Sequence, residues 1–287
     1  MSEQAEQNTS GQAEAPIEKD QLQAYFERIG YQAKWSATLD CFRTIHRLHP
    51  QCIPFENLNP FLRIPVRLGK DDLVKKLIHD QRGGYCFEHN LLFGQVLKSL
   101  GFRVKGLAAR ILWNAPVGAI TPRGHMLLLV EAEEQTYLAD VGFGGLTLTS
   151  PLLLQPDLEQ ETPHELFRLI MDRDQYVLQV SIKEVWKSVY SFSLEEQFQP
   201  DYEVTNWYLS NHPDSHFVTG LIAARSAPGV RYALRNSQLS VHYVEGPTEK
   251  RVLESAGEIK RVLQDTFQIR LPKEDELGNA FERIILP

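Results

Sequence analysis

The segment Cys86–Leu100 constrains the fold most, because apolar residues occupy most sides of its helical pattern. A helix that is apolar almost all round is a buried helix rather than a surface one. We therefore predict that this segment is the central helix of a bundle and that it ends at Gly101. Its apolar positions are Phe87, Leu91, Leu92, Phe93, Val96, Leu97 and Leu100.

The residues before this helix predict a turn that presents a reactive thiol. Gly83 and Gly84 relax the steric limits on the backbone, and helical spacing resumes at Cys86. A cysteine in the first turn of a helix faces unpaired backbone N–H groups and the positive end of the helix dipole, and both favour a thiolate. We predict that Cys86 is a nucleophile, although a buried helical cysteine taken alone is more often an inert core residue.

The chain around this turn predicts a helical bundle over residues 18–101. The first residues, 1–17, are rich in Gln, Glu, Ala and Ser and lack apolar material for a core, so they predict a disordered tail. Apolar spacing predicts two helices, near residues 18–29 and 36–48, and Pro50 lies just beyond the second. A third helix, capped by Asp71 or Asp72, is expected to end at the two glycines.

After Gly101 the apolar period changes from helical to alternating. Strands are predicted over residues 103–111, 125–130 and 136–141, and more follow before residue 200. Antiparallel strands with short turns indicate a β-barrel over residues 102–200. Residues 201–287 predict a connecting helix, two strand regions and a last helix, near residues 201–211, 216–224, 231–244 and 255–267. The order predicts an α+β protein of three parts.

His125 and Asp140 are the expected partners of the thiol. A cysteine nucleophile needs a base, and the base needs an acceptor that fixes its tautomer. The two residues lie on neighbouring predicted strands joined by a turn at Glu133 and Glu134. In an antiparallel hairpin, the numbers of two paired residues add up to a constant that is about twice the number at the centre of the turn. The sum for His125 and Asp140 is 265 and the turn centre is near 133, so the two should lie nearly opposite each other. The spacing thus predicts a His–Asp contact. It does not show that Cys86 reaches the pair, and each residue alone is explained equally well as an ordinary turn or strand residue.

Composition and charge exclude several classes of function. The 287 residues include 37 acidic and 30 basic side chains, a net charge of −7, without a block of like charge, so nucleic acid is not an expected partner. The longest aliphatic run, residues 126–130, is too short to cross a membrane, and no signal-like segment precedes it. Three cysteines cannot all pair, which favours a reducing compartment, most simply the cytoplasm. Cys41 and Cys52 are expected to be structural.

Other residues near the motifs are assigned roles by their chemistry. Arg82 and Glu56 are charged residues beside apolar neighbours and are expected to pair and hold the turn. Phe55 and Phe143 are expected to line a pocket or to fill the core. His89 forms a Cys-x-x-His pair with the nucleophile. Zinc would require two more ligands, and no second pair has suitable spacing, so no metal is expected.

Several motifs resemble those of the arylamine N-acetyltransferases. They occur in the family's order over nearly everything after the tail: Tyr25-Phe26-Glu27-Arg28-Ile29-Gly30, Ile53-Pro54-Phe55-Glu56-Asn57-Leu58, Arg82-Gly83-Gly84-Tyr85-Cys86-Phe87-Glu88, Asp140-Val141-Gly142-Phe143-Gly144-Gly145 and Asn211-His212-Pro213-Asp214-Ser215-His216-Phe217. The resemblance implies a helical bundle, a β-barrel and a C-terminal α/β lid, with a core like that of thiol proteases and transglutaminases. It also implies a catalytic triad of Cys86, His125 and Asp140, with acetyl-coenzyme A as the donor.

The same resemblance implies where the substrates bind. It implies that Phe143, Gly144 and Phe217 lie near the cofactor or the substrate. We assign Gly144 and Phe217 to the coenzyme A site and Phe143 to the substrate pocket, together with Phe55, which is assigned there by its chemistry alone. One position departs from the family pattern. The residue before the triad histidine is commonly threonine and here is Gly124, so no hydrogen bond from a hydroxyl to the cofactor is assigned there.

The expected activity is acetyl transfer from acetyl-coenzyme A to the nitrogen of arylamines, arylhydroxylamines or hydrazines. The expected mechanism is ping-pong through an acetyl-cysteine. Two alternatives keep the triad and change the acceptor: water gives a thiol hydrolase, and a tethered amine gives an amide synthase. A third alternative is a binding protein with an inert cysteine, and slow labelling of Cys86 by iodoacetamide at about pH 6 would favour it.

Overall fold

The computed structural model describes residues 16–116, 118–273, 277 and 279–285. Most of the predicted tail, residues 1–15, lies outside the described residues. Ile17, the last residue of that predicted tail, is buried in the bundle with 5% of its surface exposed, and its carbonyl oxygen accepts a hydrogen bond from Ser99 Oγ. The sequence prediction was wrong at this residue, because a single isoleucine next to a polar segment still gains by entering the core.

The N-terminal part is a bundle of helices, as predicted. Its first helix begins after Glu18 and ends at Gly30, whose φ of 70° gives the left-handed cap that glycine favours. The inner face of that helix buries Phe26 and Ile29. The elements of this part are α1 (Lys19–Ile29), α2 (Leu39–Cys52), a two-residue strand β1 (Phe55–Glu56), α3 (Leu58–Phe61), α4 (Lys70–Leu73), a π-helix (Val74–His79) and α5 (Cys86–Leu100).

The end of α2 differs from the prediction. The helix continues through Pro50 instead of stopping before it. Its last turn contains His49, which is fully buried and hydrogen bonded to Tyr25 and His89. Packing and hydrogen bonding of this turn therefore outweigh the backbone hydrogen bond that a proline inside a helix removes.

The third predicted helix is also built differently. α4 begins after Gly69, so Asp71 and Asp72 lie inside its first turn and do not cap it. Their charges there still suit the positive end of the helix dipole. The chain continues as the π-helix and leaves helical structure before Arg82, so that a short connection, rather than the helix itself, leads to the two glycines.

The central part is an eight-stranded antiparallel sheet that is nearly closed into a barrel. Its strands are β2 (Arg103–Ile111), β3 (His125–Ala132), β4 (Gln135–Ala139), β5 (Leu152–Leu153), β6 (Glu159–Glu161), β7 (Leu166–Asp172), β8 (Gln175–Ile182) and β9 (Val185–Phe192). The order is β5-β4-β3-β2-β9-β8-β7-β6. The Gln160 side chain joins the two edges, accepting from Leu153 N at 2.7 Å and donating to Leu153 O at 3.0 Å, as a strand backbone would.

α5 has the bounds and the burial that the sequence predicts. Gly101, with a φ of 99°, ends it in the left-handed conformation. The helix packs against β2 and β3, and Phe93 on it contacts Phe42 and His49 of α2. Because α5 touches both the bundle and the barrel, its first residue, Cys86, lies where these two parts meet.

The C-terminal part is a second antiparallel sheet with helices around it. Its elements are α6 (Gln199–Asn211), α7 (His216–Thr219), β10 (Ile222–Ala227), β11 (Val230–Arg235), β12 (Gln238–Tyr243), β13 (Thr248–Val252), α8 (Ala256–Asp265) and a 3₁₀ turn (Glu282–Ile284). The sheet order is β1-β10-β11-β12-β13, with Phe55 opposite Ala224. The N-terminal segment therefore supplies an edge strand to this sheet. The α+β class predicted from the sequence is confirmed.

One predicted strand of this part begins as a helix. Residues 216–219 form α7 because Ser215 Oγ accepts a hydrogen bond from Phe217 N and so caps a helical turn. The strand β10 starts only at Ile222. Within the described ranges, no helix has both the length and the apolar composition needed to cross a membrane.

A polar latch joins the barrel to the C-terminal sheet. It consists of His164 and Glu165 in the β6–β7 turn and Arg231 in β11. Arg231 donates to both carboxylate oxygens of Glu165, at 2.7 and 2.6 Å. His164 Nε2 lies 2.9 Å from the carbonyl oxygen of Ala227, which can only accept, so this nitrogen carries the proton.

Candidate active site

The segment before Cys86 is closely packed. A Cβ on Gly83 would overlap the carbonyl oxygen of Pro54, and a Cβ on Gly84 would lie 2.7 Å from a carboxylate oxygen of Glu88. Neither glycine has a positive φ, so these positions require glycine for space rather than for conformation. The predicted glycine turn is not observed: Gly84 forms an isolated β-bridge with Phe55, and Cys86 then begins α5 with 4% of its surface exposed.

Two ion pairs support this segment, one buried and one partly buried. Arg82 donates to Glu56 Oε1 from Nε at 2.9 Å and from Nη2 at 2.7 Å, which confirms the predicted pairing. Burial would raise the pKa of Glu56, but Arg82 and Lys76 lower it. Lys76 Nζ lies 2.6 Å from Glu88 Oε1, and burial raises the pKa of Glu88 in spite of that contact. Glu88 also accepts from Tyr85 N at 3.0 Å, which fixes the backbone beside Cys86.

His125 begins β3, and Asp140 directly follows β4. His125 Nε2 lies 2.7 Å from Asp140 Oδ2, and both residues are buried, so the predicted contact is confirmed. The predicted register is not confirmed. The ladder has a position sum of 267 rather than 265, because Glu133 and Glu134 form a two-residue turn in which both have a positive φ. A difference of two residues keeps a side chain on the same face, and Asp140 meets His125 diagonally.

Asp140 is also held by groups that the sequence prediction missed. Its Oδ1 accepts from Asn90 Nδ2 at 3.1 Å and from Gly142 N at 3.0 Å. Its backbone N donates to His46 Nε2 at 3.2 Å. Burial lowers the pKa of His46 to about 3, so the imidazole is neutral and can accept. Asn90 is a polar residue one turn after Cys86 in a helix that is otherwise largely apolar, and this position in the sequence could have indicated its role.

The charges of the site favour an ion pair at the thiol. Burial would lower the pKa of His125, but the charge and hydrogen bond of Asp140 and the contact with Cys86 raise it to about 10. Burial would raise the pKa of Asp140, yet His125 and the donors Gly142 and Asn90 lower it. A protonated His125 beside Cys86 stabilises negative charge on the sulfur. Such a pair can activate a thiol and later move a proton.

Two glycines pack against Cys86. Cys86 Sγ lies 3.8 Å from the carbonyl oxygen of Gly124. A Cβ on Gly142 would lie 2.9 Å from Cys86 Cα, so the chain after Asp140 packs directly on the start of α5. The position where the sequence departs from the family pattern, Gly124, is therefore in contact with the thiol itself.

Aromatic rings pack around the His–Asp pair. Phe143 is half-buried, and its ring lies perpendicular to that of His125, with centroids 5.1 Å apart. The ring of Tyr190 lies 5.2 Å from His125. Burial and the neighbouring Asp140 carboxylate raise the pKa of Tyr190 well above its ordinary value, so its hydroxyl stays protonated. The sequence prediction did not single out Tyr190.

The other predicted binding residues lie together beside Tyr85. The rings of Phe55 and Phe217 are 6.2 Å apart, and Phe217 also meets Tyr85 at 5.4 Å. Gly144 has a φ of 93°, and a Cβ built on it would lie 3.5 Å from the Phe55 ring. The structure thus brings Phe55, Gly144 and Phe217 into one cluster, while Phe143 lies apart from it beside His125.

His89 takes part in a buried chain of hydrogen bonds. Its Nε2 lies 3.1 Å from Pro54 O and its Nδ1 2.9 Å from His49 Nε2, while His49 Nδ1 meets Tyr25 OH at 2.9 Å. Burial lowers the pKa of His89 to about 4 and that of His49 well below its ordinary value, so both rings are neutral. Among the described residues, no group of three or more His, Cys, Asp or Glu side chains is arranged to hold a metal ion.

Comparison with known proteins decides the family. A family model described as N-acetyltransferase matches residues 38–276. The arylamine N-acetyltransferase of Mycobacterium tuberculosis is 43% identical over 267 residues, which cover 92% of this chain and 94% of that protein. The chain belongs to the arylamine N-acetyltransferase family. The arylamine N-acetyltransferase of Escherichia coli is 41% identical over 248 residues, 86% of this chain and 88% of that protein.

Solved arylamine N-acetyltransferase structures have the same fold. The enzyme of Mycobacterium marinum superposes with a TM-score of 0.89 at 40% identity, over 92% of this chain and all (100%) of that chain. The same enzyme in complex with CoA superposes with a TM-score of 0.88, over 92% of this chain and 99% of that chain. The match extends over the bundle, the barrel and the C-terminal sheet, so this member of the family has the family's architecture throughout.

Proposed function

We propose that this arylamine N-acetyltransferase family member transfers acetyl from acetyl-coenzyme A to the nitrogen of arylamines, arylhydroxylamines or hydrazines through an acetyl-cysteine at Cys86. One observation carries the proposal: a buried His125–Asp140 pair with a 2.7 Å contact lies beside a cysteine that begins a helix. Relatives support the substrate class. The M. marinum enzyme has been solved with CoA, and a Salmonella typhimurium relative, 38% identical, is named an arylamine N-acetyltransferase / N-hydroxyarylamine O-acetyltransferase.

The first step transfers the acetyl group to the enzyme. His125 Nε2 is bonded to Asp140, which leaves Nδ1 to face the sulfur. The Cys86 thiolate attacks the thioester carbonyl carbon, the bond between that carbon and the coenzyme A sulfur breaks, and coenzyme A leaves as a thiol with the proton from His125. Backbone N–H groups at the start of α5 have no helical partner and can stabilise the oxyanion that forms.

The second step transfers the acetyl group to the acceptor. The neutral amine nitrogen attacks the acetyl carbon, His125 takes the amine proton, and the carbon–sulfur bond to Cys86 breaks. The thiolate is then paired again with a protonated His125, and Asp140 stabilises that charge. Aromatic amines suit this step because they are weakly basic and remain neutral nucleophiles at neutral pH.

The assignment of residues to the two substrates rests on the motifs shared with the family. We assign coenzyme A to Gly144 and Phe217 and the aromatic acceptor to Phe55 and Phe143. Phe55 packs against Phe217 and Gly144, so the two sites adjoin at Phe55. Gly124 can offer no hydroxyl to the donor. We place the protein in the cytoplasm, because all three cysteines are unpaired, as in a reducing compartment.

Mass spectrometry tests the intermediate. Incubation with acetyl-coenzyme A and no acceptor should add one acetyl group to the wild type and to Cys52→Ala, and none to Cys86→Ala. An unchanged wild-type mass, or equal acetylation of Cys86→Ala, would refute the mechanism. Release of coenzyme A should then depend on an added arylamine; release at the same rate without one would identify a thiol hydrolase, and acetylation that only a tethered amine discharges would identify an amide synthase.

A further inference from the structure

Asn90 connects all three parts of the triad. It is fully buried, and it lies one helical turn after Cys86 on α5. Its Nδ2 donates to the backbone oxygen of Met126, the residue after His125, at 2.8 Å. The same nitrogen donates to Asp140 Oδ1 at 3.1 Å. Its Oδ1 accepts from the backbone N of Val141, the residue after Asp140, at 3.1 Å.

The orientation of this amide is determined by its partners. The Met126 carbonyl and the Asp140 carboxylate can only accept, and the backbone N of Val141 can only donate, so the amide nitrogen and oxygen cannot be exchanged. The position therefore needs a short side chain with two donors and an acceptor. Aspartate has the shape of asparagine but no N–H donors, leucine has neither donors nor an acceptor, and glutamine is one carbon longer.

The geometry points to Asn90 as the residue that positions the triad, an inference that rests on the proposed function. Asn90 and Gly142 N occupy Asp140 Oδ1, which aims Oδ2 at His125. The contact to Met126 fixes the strand that carries His125, and the backbone of Asn90 itself fixes the distance to Cys86. Asn90 touches neither substrate in this assignment, so it acts through Asp140 and His125.

Two substitutions and a matched control separate positioning from stability. Asn90→Leu removes all three hydrogen bonds. Asn90→Asp keeps the acceptor for Val141 and places a second carboxylate against Asp140, where two like charges favour sharing one proton. Asn57→Leu is the control, because Asn57 is also buried and joins three backbone groups, Phe217 O, Gly220 O and Ile222 N, without touching the triad.

The readouts are the iodoacetamide labelling rate of Cys86 across pH and its single-turnover acetylation by mass spectrometry. In Asn90→Leu, labelling at about pH 6 should fall on the order of tenfold, the effect of one lost charge-assisted hydrogen bond. In Asn90→Asp the labelling rate relative to wild type should rise as the pH falls, since a protonated carboxylic acid can donate to Asp140 again. The titratable neighbours of Asp140 are His125, His46 and Tyr190.

The control distinguishes the outcomes. Asn57→Leu should lower the melting temperature and leave the pH dependence of labelling unchanged. If both Asn90 variants keep the wild-type pH dependence, or if Asn57→Leu changes it equally, Asn90 is a structural residue only and the inference is refuted. If wild type itself gains no acetyl group at Cys86, the proposed function fails, whereas the labelling series still decides the role of Asn90.

Discussion

The contact between Gly142 and the start of α5 gives a sharp prediction. In Gly142→Ala the new Cβ would lie 2.9 Å from Cys86 Cα, 3.0 Å from Cys86 O and 2.9 Å from Asn90 Nδ2. Two of these atoms belong to the backbone and cannot swing away. Carbon atoms in ordinary contact are about 3.5–4.0 Å apart, so the two segments must separate by roughly 0.5–1 Å.

The separation should affect both folding and the thiol. Overpacking of this kind costs about 1–3 kcal/mol, which for a chain of this size lowers the melting temperature by roughly 2–12 °C. A displacement near 1 Å between reacting groups costs about 100-fold in rate. We therefore expect single-turnover acetylation of Cys86 in Gly142→Ala to slow by about 10- to 100-fold at a temperature where the variant is folded.

Gly145→Ala is the matched control. No atom lies within 4 Å of a Cβ built on Gly145, and its backbone has no positive φ, so its stability should stay within about 0.5 kcal/mol of wild type. Its labelling by iodoacetamide should be unchanged. A Gly142→Ala protein with wild-type melting temperature and wild-type acetylation rate would show that the close packing is not needed, and would refute the reasoning.

Three further predictions concern charge. Asp140→Asn should lower the pKa of His125, now about 10, and slow iodoacetamide labelling of the cysteine at about pH 6 by tenfold or more, at about tenfold per pKa unit. His89→Gln should make the protein lose less stability in acid. The pKa of His89 is about 4 in the folded protein, so below about pH 6.5 the unfolded chain binds more protons than the folded one. Between about pH 6.5 and 4 this histidine therefore lowers the free energy of unfolding by about 1.4 kcal/mol per pH unit, which urea denaturation measures. Arg231→Met should leave Glu165 without its partner and lower the free energy of unfolding by about 3 kcal/mol in the same assay.

Controls for these predictions come from the same chain. Lys75 and Asp80 form an exposed ion pair, so Lys75→Met should lower the free energy of unfolding by less than about 1 kcal/mol. If Arg231→Met lowers it by no more than Lys75→Met does, the polar latch adds no stability. Folding raises the pKa of His125 and lowers that of His89, so the two histidines change the stability with pH in opposite directions. The contribution of protonated His125 to the free energy of unfolding is complete below about pH 6.5 and is lost as the pH rises toward about 10. Asp140→Asn should remove this loss at alkaline pH, and a variant that still shows it would contradict the assignment.

The sequence predicted those parts of the structure that depend on a strong local pattern. The bounds of α5 and β2 agree with the prediction, because one is apolar on most sides and the other alternates with a glycine stop before it. The His125–Asp140 contact was predicted with a register that was wrong by two residues in the position sum. It is observed nevertheless, because that error preserves the face of the sheet.

The remainder depends on partners that are distant in the chain. α2 passes through Pro50 because His49 is held by Tyr25 and His89, and no rule based on neighbouring residues contains that information. Asn90 and His46 bind backbone groups of the barrel, so their roles appear only once the bundle and the barrel are packed together. The helical start at residue 216 rests on one hydroxyl cap that competed with an apolar, strand-like pattern.

The short strand β1 links the order of synthesis to the completion of the site. Phe55 takes its place at the edge of a sheet whose partner residue, Ala224, lies far along the chain. A nascent chain that has emerged only as far as the end of the barrel already contains Cys86, His125 and Asp140, yet it lacks the strand β10 that pairs with Phe55. The aromatic cluster of Phe55, Phe217 and Tyr85 can therefore form only after the C-terminal part of the chain has been synthesised.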